Sequence, residues 1–266
     1  MNIVVTIKQV PDPNIPPGDL KLDADSRRIV SPFGVPPGIN GYDAHALEEA
    51  LRLREKHGGR VTAVGLGEDG CRDALKRAIA MGADAAVLLN DPQWLDADSA
   101  GIGRVLAAAL RKIGAFDLVL CGRQASDTDG GQVLYWLAAE LGVHAVSPVT
   151  SIEEFAEGAL TVRRLSEEGY HRLRVQLPAL LGISSEINEP RRPSLRGITA
   201  AGRAHIPGWK AANVTLDANE DPEKPKVELR RLRVQQRTSR AELIAGDSGS
   251  AQGVALAEKL REAGLI

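Results

Sequence analysis

The sequence predicts an α/β fold, with a doubly wound, mostly parallel sheet covered by helices on both faces. Three observations lead there. Short apolar runs alternate with amphipathic stretches of helical length through residues 1–142. The runs are continuously apolar, as in strands buried on both sides, instead of alternating in and out of water. Glycine closes most of the helical stretches, at the position where a left-handed backbone is favoured. Strands that alternate with helices of about 10–15 residues imply βαβ crossovers and a parallel sheet.

The elements follow in order. Residues 3–7 read as the first strand. Residues 11–41 hold Pro11, Pro13, Pro16, Pro17, Pro32, Pro36 and Pro37 with several glycines, and must form a long excursion. Loops of that length in compact domains usually carry function. Asp43 is placed to cap a helix over 43–57, with Ala44, Leu47, Ala50 and Leu51 as its buried stripe and Gly58-Gly59 as its stop. A strand over 60–66, a turn over 67–70 and a helix over 72–81 closed by Gly82 come next. Strand 85–89 leads to a helix capped by Asp98 or Ser99, with Ile102, Val105, Leu106, Ala109 and Ile113 on its apolar face. Strand 117–121 and helix 130–141, ended by Gly142, complete the alternation.

The pattern then changes. Residues 160–165 and 170–177 flank Ser-Glu-Glu-Gly169 and read as an antiparallel hairpin, followed by a short buried strand over 179–183. Residues 217–225 are a polar, proline-containing linker. A strand-like run over 227–234 and a helix over 251–262 make a terminal element that must dock on something.

Composition excludes several classes. The chain has 266 residues, 43% of them hydrophobic, and a formal net charge of −2. So even a balance gives no electrostatic reason to expect nucleic acid or an anionic membrane as partner. Aromatic residues make up 3%, too few for a base-stacking platform. Cys71 and Cys121 have no CxxC or CxxH spacing, and Cys121 ends an apolar run as a small buried residue. The N-terminus reads as a strand and not as a signal segment, and no window approaches the about 20 apolar residues of a membrane span. The chain is therefore expected in the cytoplasm. None of His45, His57, His144, His171 and His205 has metal-ligand spacing, and no G-x-S-x-G nucleophile elbow occurs. That absence of chemistry points to a binder or carrier.

Ligands of open parallel sheets bind at the carboxyl ends of strands, near the switch in strand order. Four segments fall there: 8–12, 40–43, 65–67 and 122–132. The last, Gly122-Arg-Gln-Ala-Ser-Asp-Thr-Asp-Gly-Gly-Gln132, is the most specific. If Gly130 and Gly131 open the helix, a phosphate can approach its unpaired N–H groups at the positive end of the dipole. The segment is neither G-x-G-x-x-G nor a Walker motif. Asp127 and Asp129 would repel an anion, with Arg123 as an offset. On spacing alone, a plain strand–loop–helix link capped by Asp or Thr fits as well.

The same residues carry a resemblance. Val5-Thr-Ile-Lys-Gln-Val-Pro-Asp12, Asp43-Ala-His-Ala-Leu-Glu-Glu-Ala-Leu-Arg-Leu53 and Arg77-Ala-Ile-Ala-Met-Gly-Ala-Asp84 occur in that order. Asp117-Leu-Val-Leu-Cys-Gly-Arg-Gln-Ala125, Asp127-x-Asp129-x-x-Gln132 and Ile187-Asn-Glu-Pro-Arg191 with Leu195 follow. Together they resemble the beta subunit of the electron transfer flavoproteins from residue 1 to the C-terminus.

The resemblance implies a nucleotide alpha-hydrolase-like, adenine-nucleotide-binding domain over 1–225 and an arm over 226–266 that wraps the alpha subunit. It implies a non-catalytic carrier: alpha and beta share an FAD, accept electrons from a flavin dehydrogenase of the acyl-CoA type, and pass them to a quinone-linked oxidoreductase. Beta would hold a structural AMP on Thr6, Asn40, Gly41, Tyr42, Asp43 and Leu66, and on Gly122, Arg123, Gln124, Ala125, Ser126, Asp127, Thr128, Asp129, Gly130, Gly131, Gln132 and Val133. The alternative is an electron-bifurcating subunit with a second FAD in that place, since Gly131 and Val133 match such members better. Glu189, Pro190 and Arg191 would lead into a partner-recognition loop over 191–200, with Leu195 as its apolar anchor. The lysine cluster usual after that loop is replaced by Ala200-Ala-Gly-Arg-Ala204.

Overall fold

Strand β1 (Asn2–Ile7) is covered on both sides because every one of Ile3, Val4, Val5 and Ile7 is apolar. Ile3, Val5 and Ile7 join one hydrophobic core and Val4 the other. The computed structural model describes residues 1–16, 19, 21–23, 28–216, 226–227, 229–233 and 241–266. Within them Met1–Leu232 and Arg233–Ile266 form two compact units.

In the larger unit, β2 (Gln9–Val10), β3 (Lys21–Asp23), β4 (Arg28–Val30) and β5 (Gly38–Ile39) lie in the excursion and make two small antiparallel ribbons, β2 with β5 and β3 with β4. Helix α1 (Gly41–His57), β6 (Arg60–Leu66), α2 (Arg72–Met81), β7 (Ala85–Leu89), α3 (Ser99–Ile113), β8 (Leu118–Gly122) and α4 (Val133–Leu141) then alternate. After them come β9 (His144–Ala156), β10 (Ala159–Ser166), β11 (Gly169–Gln176), β12 (Ala179–Ile183), α5 (Leu195–Arg203) and β13 (Gly208–Trp209). The main sheet has the order β11-β10-β9-β12-β8-β1-β6-β7-β13. Pairing is parallel from β9 across to β13 and antiparallel in β9–β10 and β10–β11.

The doubly wound, mostly parallel sheet expected from the alternation is present. Helices α1 and α2 pack in one core with Leu118, Leu120, Leu181 and Ile183. Helices α3 and α4 pack in the other with Val64, Val119, Cys121 and Leu180. The observed bounds of β6, β7, β12 and α2 coincide with the sequence reading. Asp98 is the cap of α3, accepting the Gly101 N–H at 2.9 Å.

Four readings need correction. Helix α1 begins at Gly41, so Asp43 lies inside its first turn and does not cap it. Helix α4 begins at Val133, so Gly130 and Gly131 precede it. The loop expected over 191–200 is helical from Leu195, since Ser194 caps α5 (Leu195–Arg203) by accepting the Gly197 N–H at 3.0 Å. The strand proposed over 227–234 is absent at 227 and 229–233, while 228 and 234 lie outside the described residues, as do linker residues 217–225. One strand escaped the sequence reading altogether. Strand β9 contains Pro148 and mixes polar with apolar residues, which hides it from a pattern search.

The outermost strand, β11, carries Arg172 and Arg174, which pair with Glu153 at 2.6 Å and Glu157 at 2.7 Å. In the smaller unit Ser248 caps α6 (Gly249–Glu262), its hydroxyl accepting the Ala251 N–H at 3.2 Å, and Lys259 pairs with Glu242. Among the described residues no helix is long and apolar enough to cross a membrane.

Helices α3 and α4 approach closely at Gly103. A Cβ there would stand 2.6 Å from Trp136 Cβ and 3.0 Å from the Leu137 nitrogen. Gly103→Ala must push the helices apart, so chemical denaturation should show a loss of about 1–3 kcal/mol. A variant as stable as the parent would mean that the contact has slack.

Candidate functional site

The chain leaves β1 toward the face that α1 covers, and leaves β8 toward the face that α4 covers. These two strands are neighbours in the sheet. Their carboxyl ends therefore diverge and open a crevice at the switch in strand order, the usual ligand position in such sheets.

Two buried polar side chains build the crevice. Asn40, 1% exposed, precedes α1 but makes no cap bond. Its Nδ2 donates to the Gln124 carbonyl at 2.8 Å and its Oδ1 accepts the Ser126 N–H at 3.1 Å. Its own N–H donates to the Lys8 carbonyl at 2.9 Å. Asp43, 5% exposed, accepts the Lys8 N–H on Oδ2 at 2.8 Å and the Gly122 N–H on Oδ1 at 3.0 Å. The end of β1, the start of α1 and the loop after β8 are thus joined by backbone-directed bonds. Burial pushes the Asp43 carboxyl up to about 7, against the pull of the Lys8 and Gly122 N–H groups, the Asn40 side chain and the Lys8 charge.

Gly122 is required by this closeness. A Cβ would lie 2.4 Å from Asp43 Oδ1 and 2.7 Å from Tyr42 Cβ. Beyond it the loop folds on itself. The Ala125 carbonyl accepts the N–H of Asp129 at 2.8 Å, and Gln124 Nε2 donates to Asp129 Oδ1 at 2.8 Å. Asp129 and Gly131 take left-handed backbone, with φ of 49° and 58°. Lys8 Nζ lies 2.7 Å from Asp127 Oδ1 and ties the loop back to the end of β1. The Arg123 guanidinium stacks on Tyr42 at 5.1 Å, and its Nε is buried without a hydrogen-bond partner.

The structure brings together most of the residues expected to hold a nucleotide. Asn40 meets Gln124 and Ser126, and Tyr42 meets Gly122 and Arg123, while Gly41 opens α1 between them. Thr6 and Leu66 stand at the ends of β1 and β6 on the same rim, and burial pushes the nearby Cys121 thiol up to about 12. Thr128, Asp129, Gly130 and Gln132 are exposed, and Gln132 sits at the N-cap position of α4 ahead of Val133. Gly130 and Gly131 belong to the turn before the helix and not to its first turn, so the helix N-terminus expected at these glycines lies at Val133. Among the described residues no group of three or more His, Cys, Asp or Glu stands ready to hold a metal ion.

The segment expected to recognise a partner divides in two. Arg191 is anchored: it reaches Glu48 Oε2 through Nε at 2.7 Å and Glu55 Oε1 through Nη1. Burial works against the Glu48 carboxylate, but hydrogen bonds from Arg191 and Arg52 hold its carboxyl below the usual range. Asn188 adds bonds to the His45 carbonyl at 3.1 Å and to Glu49 at 3.0 Å. Glu189 is exposed and Pro190 half-buried. Leu195, in contrast, is 85% exposed at the start of α5, with Ile198 one turn on at 55%. Gly197 allows α5 to rest on α2, since a Cβ would stand 2.1 Å from the Ala80 carbonyl oxygen. Sequence reasoning placed Lys8 in candidate segment 8–12 without assigning it a partner, and did not name Glu48 or Glu55 as contributors. The i, i+7 spacing of the two glutamates on one helix face was a usable signal.

The family described as "Electron transfer flavoprotein domain" matches residues 30–214. The chain is 40% identical over 222 residues to an electron transfer flavoprotein subunit beta of Thermoanaerobacterium thermosaccharolyticum, covering 83% of this chain and 82% of that one. It is 37% identical over 223 residues to protein FixA of Azorhizobium caulinodans, covering 82% and 78%. It is also 37% identical over 217 residues to the caffeyl-CoA reductase-Etf complex subunit CarD of Acetobacterium woodii, covering 81% and 80%.

The buried Asp43 has a pH signature. Its folded-state carboxyl sits near 7, above the ordinary value of 3.8, so the folded chain holds a proton that the unfolded chain has lost. The stability this confers is fully present below about pH 4 and disappears as pH rises through 7. Urea denaturation between pH 4 and 7 should show stability falling with pH, and Asp43→Asn should flatten that fall. The amide that replaces the carboxyl has one acceptor oxygen for two N–H groups, so the variant should also lose about 1–3 kcal/mol. An unchanged slope in the variant would assign the titration to another group.

Proposed function

The chain belongs to the electron transfer flavoprotein family, among its beta subunits, and from that premise we propose that it is a non-catalytic electron-carrier subunit that pairs with a flavin-bearing alpha subunit. Its own task is to hold an adenine nucleotide in the crevice between the ends of β1 and β8. The observation that carries this is Arg123. A buried Nε with no acceptor, beside a glycine-lined turn, fits a ligand that brings an acceptor of its own. An AMP fits this donor set: Asn40 and Asp43 hold the crevice walls, Arg123 supplies a cation and Tyr42 fixes its plane. When bound to the heterodimer, FAD supplies the one- and two-electron chemistry, and this chain contributes binding, orientation and a wall.

The nucleotide is AMP in the favoured reading. A second FAD is the other, supported by the small residue at Gly131 and by Val133, and it would suit an electron-bifurcating complex. The terminal residues 226–266 act as an arm on the alpha subunit. The exposed pair Leu195 and Ile198 on α5 is the docking point for a flavin dehydrogenase of the acyl-CoA type, because a small apolar anchor on a firm support suits brief docking. A quinone-linked oxidoreductase takes the electrons onward, in the cytoplasm.

Two measurements test the proposal. Ligands released from the purified heterodimer and separated by chromatography should give one FAD and one AMP per pair. Two FAD would select the bifurcating reading, and no nucleotide beyond the shared flavin would refute a nucleotide site in this chain. Leu195→Ala should raise the apparent KM for the dehydrogenase about tenfold, a loss typical of a small hot spot, with ligand content unchanged. An unaltered KM would move the docking point elsewhere.

A further inference from the structure

The loop after β8 presents a contradiction for any anionic ligand. Asp127 and Asp129 stand two residues apart in a segment whose only basic residue is Arg123. A phosphoryl group entering the crevice would meet two carboxylates of its own sign. Asp129 is turned onto the Gln124 amide at 2.8 Å, which fixes its direction without cancelling its charge. Asp127 is the more consequential of the two. Its side chain is 16% exposed, so water screens it poorly, and it pairs with Lys8 at 2.7 Å.

The placement of Lys8 is itself enforced. Its N–H is bound to Asp43 and its carbonyl accepts the Asn40 N–H. The backbone of Lys8 is therefore pinned on both sides by the residues that build the crevice, and only the side chain is left to reach the loop, 119 positions away in sequence. Nothing in the fold needs that reach. Asp43 and Asn40 already join the end of β1 to residues 122–126, and the Lys8 side chain is 43% exposed, so the pair adds little as a bolt.

We infer that Lys8 is a positioning residue for the nucleotide site: it neutralises and holds aside the Asp127 carboxylate, so that the crevice admits the phosphate of a nucleotide. This rests on the nucleotide reading above and specifies which of its ligands' groups depends on Lys8. The phosphate should feel the loss of Lys8 and the adenine and ribose should not. Asp127 should be the reason.

Titration calorimetry on the full-length chain, freed of copurified nucleotide, separates these effects with AMP and adenosine as probes. Lys8→Met should weaken AMP about tenfold or more, by leaving one unpaired charge near the phosphate, and change adenosine by about twofold or less. Lys8→Met/Asp127→Asn, which removes both charges, should restore AMP to within about threefold, and Lys8→Arg should behave as the parent. If the double variant stays as weak for AMP as Lys8→Met, Lys8 grips the phosphate itself and the inference is wrong. Equal losses of AMP and adenosine, or no loss of AMP, also overturn it. A parent chain that binds neither AMP nor adenosine overturns the nucleotide reading together with this inference, whereas the other failures leave that reading standing.

Discussion

The crevice at the rim of the sheet depends on one buried cross-link, the bonds from Asn40 and Asp43 to the main chain at Lys8, Gly122, Gln124 and Ser126. Buried polar groups are tolerable only when their hydrogen bonds are satisfied, and these two side chains satisfy theirs almost wholly with backbone. The requirement is mutual. Three chain segments that leave the sheet in different directions need partners for N–H and C=O groups which no ladder can supply. A single short polar motif at the entry to α1 supplies them. The position of the crevice, its glycine at 122 and the reach of Lys8 all follow from that arrangement.

Helix α1 carries the constraint further. Its first turn belongs to the crevice, while Glu48 and Glu55 on its later turns hold Arg191. The chain leaving β12 is thereby pinned before it starts α5, and α5 then rests on α2 through the bare backbone of Gly197. The apolar side chains of Leu195 and Ile198 are consequently offered from a fixed support. One helix thus serves as the common frame for a ligand crevice at its amino end and a presented surface beyond its carboxylates.

How much of this was legible in the sequence depends on the range of the interactions involved. Strands β7 and β12 were readable because their burial demands nothing but continuous apolar residues. The rim position of residues 122–133 was readable because parallel sheets put ligands there. Asp43 was misread as a cap because the groups it serves, Lys8 and Gly122, are 35 and 79 positions away, while a local pattern rewards the nearer explanation. The start of α4 was misread for a related reason: two glycines look permissive of a first turn, but the loop commits Asp129 and Gly131 to left-handed backbone that no helix contains. Strand β9 was missed because it changes partner along its length, parallel to β12 and then antiparallel to β10, so no single period runs through it. The resemblance implied a loop over 191–200 where the chain turns helical from Leu195, since motif matching carries residue types and not the cap that Ser194 provides.

The outer flank of the sheet carries a separate lesson. Among the described residues β11 ends the sheet on one side, and its outer main-chain groups would accept a further strand from an extended segment nearby. Arg172 and Arg174 stand along it, with Glu153 and Glu157 bound beside them. A foreign strand laid on this flank must confront or desolvate that charged fringe, which makes stacking of one copy on another costly. Ion pairs of little worth to folding thus raise the cost of adding a strand at that edge.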